Sequence, residues 1–275
     1  MKQIVVATDF SSCASNAMEY AVDLAKILNI ELCAIHAIHP TEGVDNSIQN
    51  AIFIEDYYNN KRRALATWAA GFVSRYQYQD VKVTTVCEVG SLSNVLTKYI
   101  DNNPVELLVM GSMGSTGISG LFGSNASMMI SKTRIPTLVI PLETKFKSAP
   151  VITLATDFTT DLSPEDVNAL NELLLAFKSE QLNILNVIET PEFKTNEEGE
   201  NNLKSLIGNA NLEFKYIQED SAKEGIMNFI IGNNTDILCV VKHHHNIIYR
   251  IFNRSTIDQV MNKSVKAILV LHTQD

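Results

Sequence analysis

The chain has little that would tie it to nucleic acid or to a membrane. Its 275 residues carry 22 Lys and Arg against 31 Asp and Glu, a net charge of −9. This argues against duplex nucleic acid or an anionic lipid surface as the main partner, since both need a basic face. An acidic chain can still hold a small anion, provided backbone dipoles or a few placed donors do so locally. Long apolar runs are missing too: no stretch approaches the roughly 20 apolar residues of a spanning helix. The apolar run between Met1 and Asp9 is shorter than the about 7–15 residues of a signal-peptide core. The four cysteines, Cys13, Cys33, Cys87 and Cys239, show no C-x-x-C spacing. Three of them fall in strand-like runs, where a buried free thiol is ordinary. These absences lead to the expectation of a cytoplasmic, reducing home, with neither membrane nor nucleic acid as partner.

What is present is ordinary for a globular chain: 45% hydrophobic and 19% charged residues. The length fits one large domain or two of about 140 residues, each able to build a core without disulfides or metals. The chain also repeats itself. Residues 3–10 read QIVVATDF and residues 151–158 read VITLATDF, so Asp9 recurs as Asp157, 148 residues on. Val105–Met110 matches Thr235–Val240, and Ile135–Ile140 matches Val265–Val270, both 130 residues on. The second copy has thus lost about 18 residues in between, and a period this long signals domain duplication.

Each copy alternates apolar runs with amphipathic stretches, the pattern of βαβ units in a parallel sheet. Strands are predicted near 3–8, 31–38, 81–87, 105–111 and 137–141, then near 150–156, 182–188, 212–217, 236–241 and 267–271. Helices are predicted near 13–28, 53–77, 92–102 and 125–133, then near 164–178, 199–209, 221–232 and 255–263. The fold class is α/β: two tandem doubly wound, Rossmann-like domains, each a five-stranded mostly parallel sheet flanked by helices. The expected boundaries are 1–144 and 149–275, with residues 145–150 (KFKSAP) as linker.

In such a sheet ligands bind beyond the carboxyl ends of the strands. After the fourth predicted strand comes GSMGSTGISGLFGSN, residues 111–125, running into a helix. Glycines let a ligand approach without a Cβ in the way, and a helix start offers free N–H groups and the positive end of its dipole. Ser124 and Asn125 suit the N-cap and could equally donate to a phosphate. A plain surface loop is the alternative. No Gly-Lys-Ser/Thr follows, so this is not a Walker loop.

Gly111-x-x-Gly114, eight residues, then Gly123-Ser124 is similar to the glycine motif of the universal stress protein family. So are the opening strand with Asp9, His36 closing the second strand, and the run from Ile135 to Pro141 (IPTLVIP). The resemblance covers both halves and fits the tandem-domain, adenine-nucleotide-binding branch. It implies that Ala7 and Asp9 lie against the adenosine and that the Ala37 backbone contacts the base. Gly111, Ser112, Met113, Gly114 and Ser115 would wrap ribose and phosphates, with Gly123, Ser124 and Asn125 completing the phosphate cradle. Read from the residues alone, Asp9 ends a strand at the binding edge and can accept from ribose or base, or else forms an Asx turn or N-cap. The family usually spaces its second and third glycines by nine residues and often places Lys or Arg after the second; here there are eight, and Ser115-Thr116 follow. ATP would then rely on main-chain amides and a metal ion such as magnesium, whereas AMP or ADP asks for less.

In the second copy Gly111, Gly114 and Gly123 align with Val241, His244 and Asn253, and residues 241–255 contain no glycine. This half is expected to hold no nucleotide. His243–His245 invite a metal reading, but three consecutive residues do not readily turn toward one ion; a polar loop facing solvent or a partner is expected. Cys13 near a helix start raises the question of a reactive thiolate, with packing as the alternative. Phe53, Tyr57, Tyr58 and Trp68 are expected to pack the long helix onto the sheet, and residues 39–50 to form a mobile loop, a lid over the site.

With no base beside a nucleophile and no evident pair of magnesium carboxylates, the expected function is non-catalytic adenine-nucleotide binding in a stress response, by the N-terminal domain only. The alternatives are a slow ATPase or self-phosphorylating enzyme, with Ser124 or Ser115 as acceptor, and a nucleotide-independent interaction scaffold. The expected partners are an adenine nucleotide and unidentified proteins. The family commonly dimerises through its last strand, so residues 137–141 and 267–271 are expected to meet within the chain as a pseudo-dimer, with a homodimer also open.

Overall fold

A computed structural model describes residues 2–42, 51–75, 80–113, 123–158, 162–190, 192, 195–208, 210–242 and 267–273. In chain order these form β1 (Gln3–Ala7), α1 (Ser12–Leu28), β2 (Glu31–Ile38), α2 (Ala51–Arg75), β3 (Val83–Val89), α3 (Leu92–Asn102), β4 (Val105–Gly111), α4 (Ser124–Lys132) and β5 (Thr137–Ile140). The second half follows as β6 (Ile152–Ala155), α5 (Asn168–Ala176), β7 (Gln181–Ile188), α6 (Glu197–Leu206), β8 (Asn211–Gln218), α7 (Ala222–Gly232), β9 (Ile237–Lys242) and β10 (Ala267–His272).

The strands lie in one sheet in the order β3-β2-β1-β4-β5-β10-β9-β6-β7-β8. The two halves mirror each other about its centre, where β5 and β10 pair antiparallel through Val139–Ile268, Leu138–Leu269 and Thr137–Val270. The other described pairings are parallel. The central strands read as near-continuous apolar runs because helices cover both faces; Ile4, Val5 and Val6 are all fully buried. Helices α1, α2, α5 and α6 cover one face over a core that runs through both halves. The other face carries α3 and α4 over one cluster, and α7 with Ile130 over a second.

The local signals read from the sequence act as physical devices. Ser11 caps α1 by accepting the Ala14 N–H, and Asn29 ends the helix in the left-handed region at φ 53°, its N–H turned back to the Ala25 and Lys26 carbonyls. Helix α2 buries Leu65, Ala69 and Phe72, the i, i+4, i+7 stripe of a surface helix. Trp68 packs on Phe10 and Phe72 as expected. Tyr57 instead donates its hydroxyl to Glu42 at 2.9 Å, Tyr58 packs against Tyr57, and the Phe53 side chain lies outside the description. Residues 145–150 are well anchored. Phe146 packs on Tyr20 and Phe177, Lys145 donates to Asn16 Oδ1, and Lys147 pairs with Asp236.

One prediction needs correcting. The helix expected at 164–178 begins only at Asn168, because Ser163–Asp166 close a turn of their own, with the Ser163 N–H donated to Asp166 Oδ2 at 2.8 Å. The helix expected at 255–263 lies outside the described residues. Among the described residues, no helix is long and apolar enough to cross a membrane.

Candidate nucleotide site

The carboxyl ends of β1, β2 and β4, where the strand order reverses, open onto a cavity of about 250 Å³. Eight of the nominated residues line it: Ala7, Asp9, Ala37, Gly111, Ser112, Met113, Gly123 and Ser124; Asn125 makes a ninth. Gly114 and Ser115 lie outside the described residues. Thr8, Ala14, His36, Leu92, Met110 and Ala126 line it too, outside the expected set. His36 belongs to the family pattern; the others are buried or half-buried apolar or small residues without a sequence mark.

The first wall is a turn. After β1 the chain places Phe10 in the left-handed region, φ 63°. The turn is held by Thr8 Oγ1 accepting the Phe10 N–H and by Asp9 Oδ1 accepting the Ser11 N–H, each at 3.0 Å. The Asx-turn reading of Asp9 is thus realised, and Asp9 still lines the cavity. His36 supports the turn from β2. Its Nδ1 lies 2.8 Å from the Thr8 carbonyl, which can only accept, so this nitrogen carries the proton. Nε2 is buried with no partner among the described residues. The Phe10 ring leans on the imidazole at 4.6 Å between centroids.

The second wall is the start of the glycine loop. Ser112 is fully buried and donates its N–H to Ile140 O. Its carbonyl accepts the Gly123 N–H at 2.6 Å, so both ends of the loop are tied together across the intervening residues. At Gly111 a Cβ would sit 3.0 Å from the Cys13 main chain and 3.0 Å from its Sγ. This glycine is therefore needed for the close approach of α1. Cys13 itself is buried, its Sγ 3.6 Å from the Ile140 carbonyl, which favours packing over an exposed reactive thiol.

The third wall is the start of α4. Gly123 is the N-cap, not Ser124 or Asn125, and no side chain caps the helix. Ser124 and Asn125 instead occupy its first turn, with Ala126 buried behind them. Ser127 is the first residue whose N–H reaches back, to Gly123 O. The amides of Ser124, Asn125 and Ala126 have no protein partner among the described residues and sit at the positive end of the dipole. By contrast α1, α3, α6 and α7 each have a Ser or Asn cap.

The described lining holds one carboxylate, Asp9, one imidazole, His36, and no Lys or Arg. Glu42 joins the 39–42 turn to α2 through Tyr57 and Lys61. Burial disfavours its charge, but hydrogen bonds from His39 N–H, Tyr57 and Lys61 outweigh this and hold its carboxyl below the usual range. Residues 43–50, the rest of the expected lid, lie outside the described residues, as do His243–His245. Among the described residues, no cluster of His, Cys, Asp or Glu could hold a metal ion.

These features can now be set beside known proteins. Residues 1–141 match the model of the Universal stress protein family. The chain belongs to that family. Two curated relatives, universal stress proteins MJ0531 and MJ0577 of Methanocaldococcus jannaschii, are 26% and 25% identical to it. Each match covers 50% of this chain and 81% or 94% of the relative. Over the whole chain the architecture is that of a universal stress protein from Archaeoglobus fulgidus. That structure superposes with a TM-score of 0.73 at 14% identity, covering 98% of both chains. A putative universal stress protein from Pseudomonas aeruginosa superposes at 0.59 and 12% identity, over 99% of this chain and 94% of that one. The family's tandem Rossmann-like fold thus extends through the second half, beyond the residues that the family model matches.

Proposed function

We propose that this universal stress protein binds an adenine nucleotide in its N-terminal half, without turning it over, and that residues 1–144 and 149–275 act as a binding and a non-binding domain. The observation that carries the reading is the uncapped start of α4. Three amides with no partner among the described residues sit at a cavity formed at the strand reversal and bounded by Gly111 and Gly123. A phosphate supplies the acceptors that those N–H groups lack.

The other walls suit a nucleoside. Asp9 can accept from ribose hydroxyls, Ala7 and Ala37 present small side chains where a flat base needs room, and the Ala37 main chain can meet the base edge. Lacking Lys or Arg in the described lining, the site depends on main-chain amides for charge compensation, which favours AMP or ADP over ATP. One carboxylate is poorly suited to a magnesium shell, which usually draws on carboxylates together with substrate phosphates. Among the described lining residues no base is hydrogen-bonded to a nucleophile, which supports binding without catalysis.

Isothermal titration of the full chain with AMP, ADP and ATP tests the reading: binding at one site per chain is expected, and no heat with any of them would overturn it. Incubation with ATP and magnesium followed by intact-mass measurement should leave the chain unmodified; a phosphorylated Ser124 or Ser115 would convert the binder into an enzyme.

A further inference from the structure

Helix α4 has nine residues, as α5 does, and it is set apart by what meets its last turn. Its start has no side-chain cap. At its end the carbonyls of Ile130 and Ser131 lose the donors that a continuing helix would provide. The Thr133 N–H already serves Met129 O, the Ile135 N–H goes to Thr133 Oγ1, and Pro136 has no N–H. Both carbonyls are met from the other half of the chain. Lys242 Nζ, at the end of β9, donates to Ile130 O and to Ser131 O, each at 2.8 Å. No carboxylate pairs with Lys242 among the described ion pairs. Its partly buried charge is therefore spent on the negative end of the α4 dipole.

Its place in the repeat matters. At the 130-residue offset Lys242 is the counterpart of Ser112, the first residue of the glycine loop after Gly111. In the first half that position is buried beneath the cavity. In the second half, which has no glycine loop, the side chain leaves its own half and braces the helix whose other end faces the first half's cavity.

We propose that Lys242 is a positioning residue for phosphate binding: contributed by the half without the glycine loop, its ammonium fixes the last turn of α4 and so keeps the first-turn amides aimed into the cavity. The inference rests on the nucleotide reading above and adds the second half's part in it. A rigid helix presents its donors without a further ordering cost on binding, and a cation at the C-terminal end complements the anion expected at the N-terminal end.

The test compares Lys242→Met and Lys242→Arg with the parent chain, titrated with ADP and with adenosine, which has no phosphate. Lys242→Met should weaken ADP about fivefold, the size of one charge-assisted capping interaction, and leave adenosine within about twofold. Lys242→Arg, which can donate to the same carbonyls, should recover most of the ADP affinity. Hydrogen exchange of a peptide spanning residues 124–132 in the ligand-free Met variant should be faster than in the parent. Should the Met variant fail to fold, Lys242→Gln, which keeps a neutral donor, takes its place with the same expected split. Unchanged ADP affinity in a folded variant, or an equal loss for adenosine, would overturn the inference while leaving the nucleotide reading intact. A parent chain that binds neither ligand would overturn both.

Discussion

The two halves of this chain agree in their turns and differ in their openings. Thr8 Oγ1 takes the Phe10 N–H in the first half; Thr156 Oγ1 takes the Phe158 N–H, at 3.1 Å, in the second. Both phenylalanines are left-handed, at φ 63° and 57°. His36 Nδ1 holds the Thr8 carbonyl, and Asn186 Nδ2 holds the Thr156 carbonyl, both at 2.8 Å. The Thr and Phe of the repeated Ala-Thr-Asp-Phe are thus explained by the turn they build, and their retention in the second half says nothing about a ligand. On the reading proposed above, the capacity to bind belongs where the halves differ. Helix α1 starts at Ser12 and presses on Gly111, whereas α5 starts later in its repeat, at Asn168, and position 241 is a valine packed on the core.

The difference is sharpest at the last strand. β5 ends at Ile140, but β10 continues to His272, which is buried and paired in register with Lys242. Burial first, and the Lys242 charge second, push its imidazole down to about 4. The unfolded chain takes up this proton below about 6.5 while the folded chain stays neutral until about 4, so stability falls as pH drops across that window and is full above it. The expected loss is about 3 kcal/mol. Urea denaturation at pH 7.5 and 4.5 checks it: His272→Gln should show a smaller acid loss than the parent, and equal slopes for both chains would refute the assignment.

Exchanging position 111 for its counterpart comes next. Gly111→Val pushes a branched side chain into the Cys13 main chain, for which overpacking predicts a loss of about 2 kcal/mol. It should also abolish nucleotide binding, since α1 or β4 must move at the cavity wall. The reciprocal Val241→Gly should create no site, because the second half lacks a glycine loop to follow it. Denaturation midpoints with titrations on both variants decide it; a tight-binding Gly111→Val chain would show that the close approach of α1 is not needed.

How much of this was legible in the sequence depends on which forces are local. β-Branched runs and 3.6-residue stripes located the strands and most helices to within a few residues, because burial on both faces of a sheet leaves a periodic record. The start of α5 is not legible in this way, because Ser163 and Asp166 spend their side chains on a turn that the helical pattern does not show. Asp9, Ser112, Ser124 and Asn125 are legible through their place after strands, whereas Thr8 carries no such mark. Leu92, Met110 and Ala126 were missed, since apolar residues facing a cavity look like residues facing a core. Lys242 left no sign either: its carbonyl partners lie more than a hundred residues away.

The smallest effect tests whether the shared turn is truly interchangeable. His36→Asn copies the second half's own solution and retains a donor for the Thr8 carbonyl, so stability should change by less than about 1 kcal/mol. His36→Leu removes that donor, leaves a buried carbonyl short of a partner, and should cost about 1–3 kcal/mol. The gap between the two variants, read from urea midpoints, isolates the Nδ1 hydrogen bond from the bulk of the ring. If Asn and Leu prove equally damaging, what matters at position 36 is the imidazole packed under Phe10, and the equivalence of the two halves at this turn breaks down.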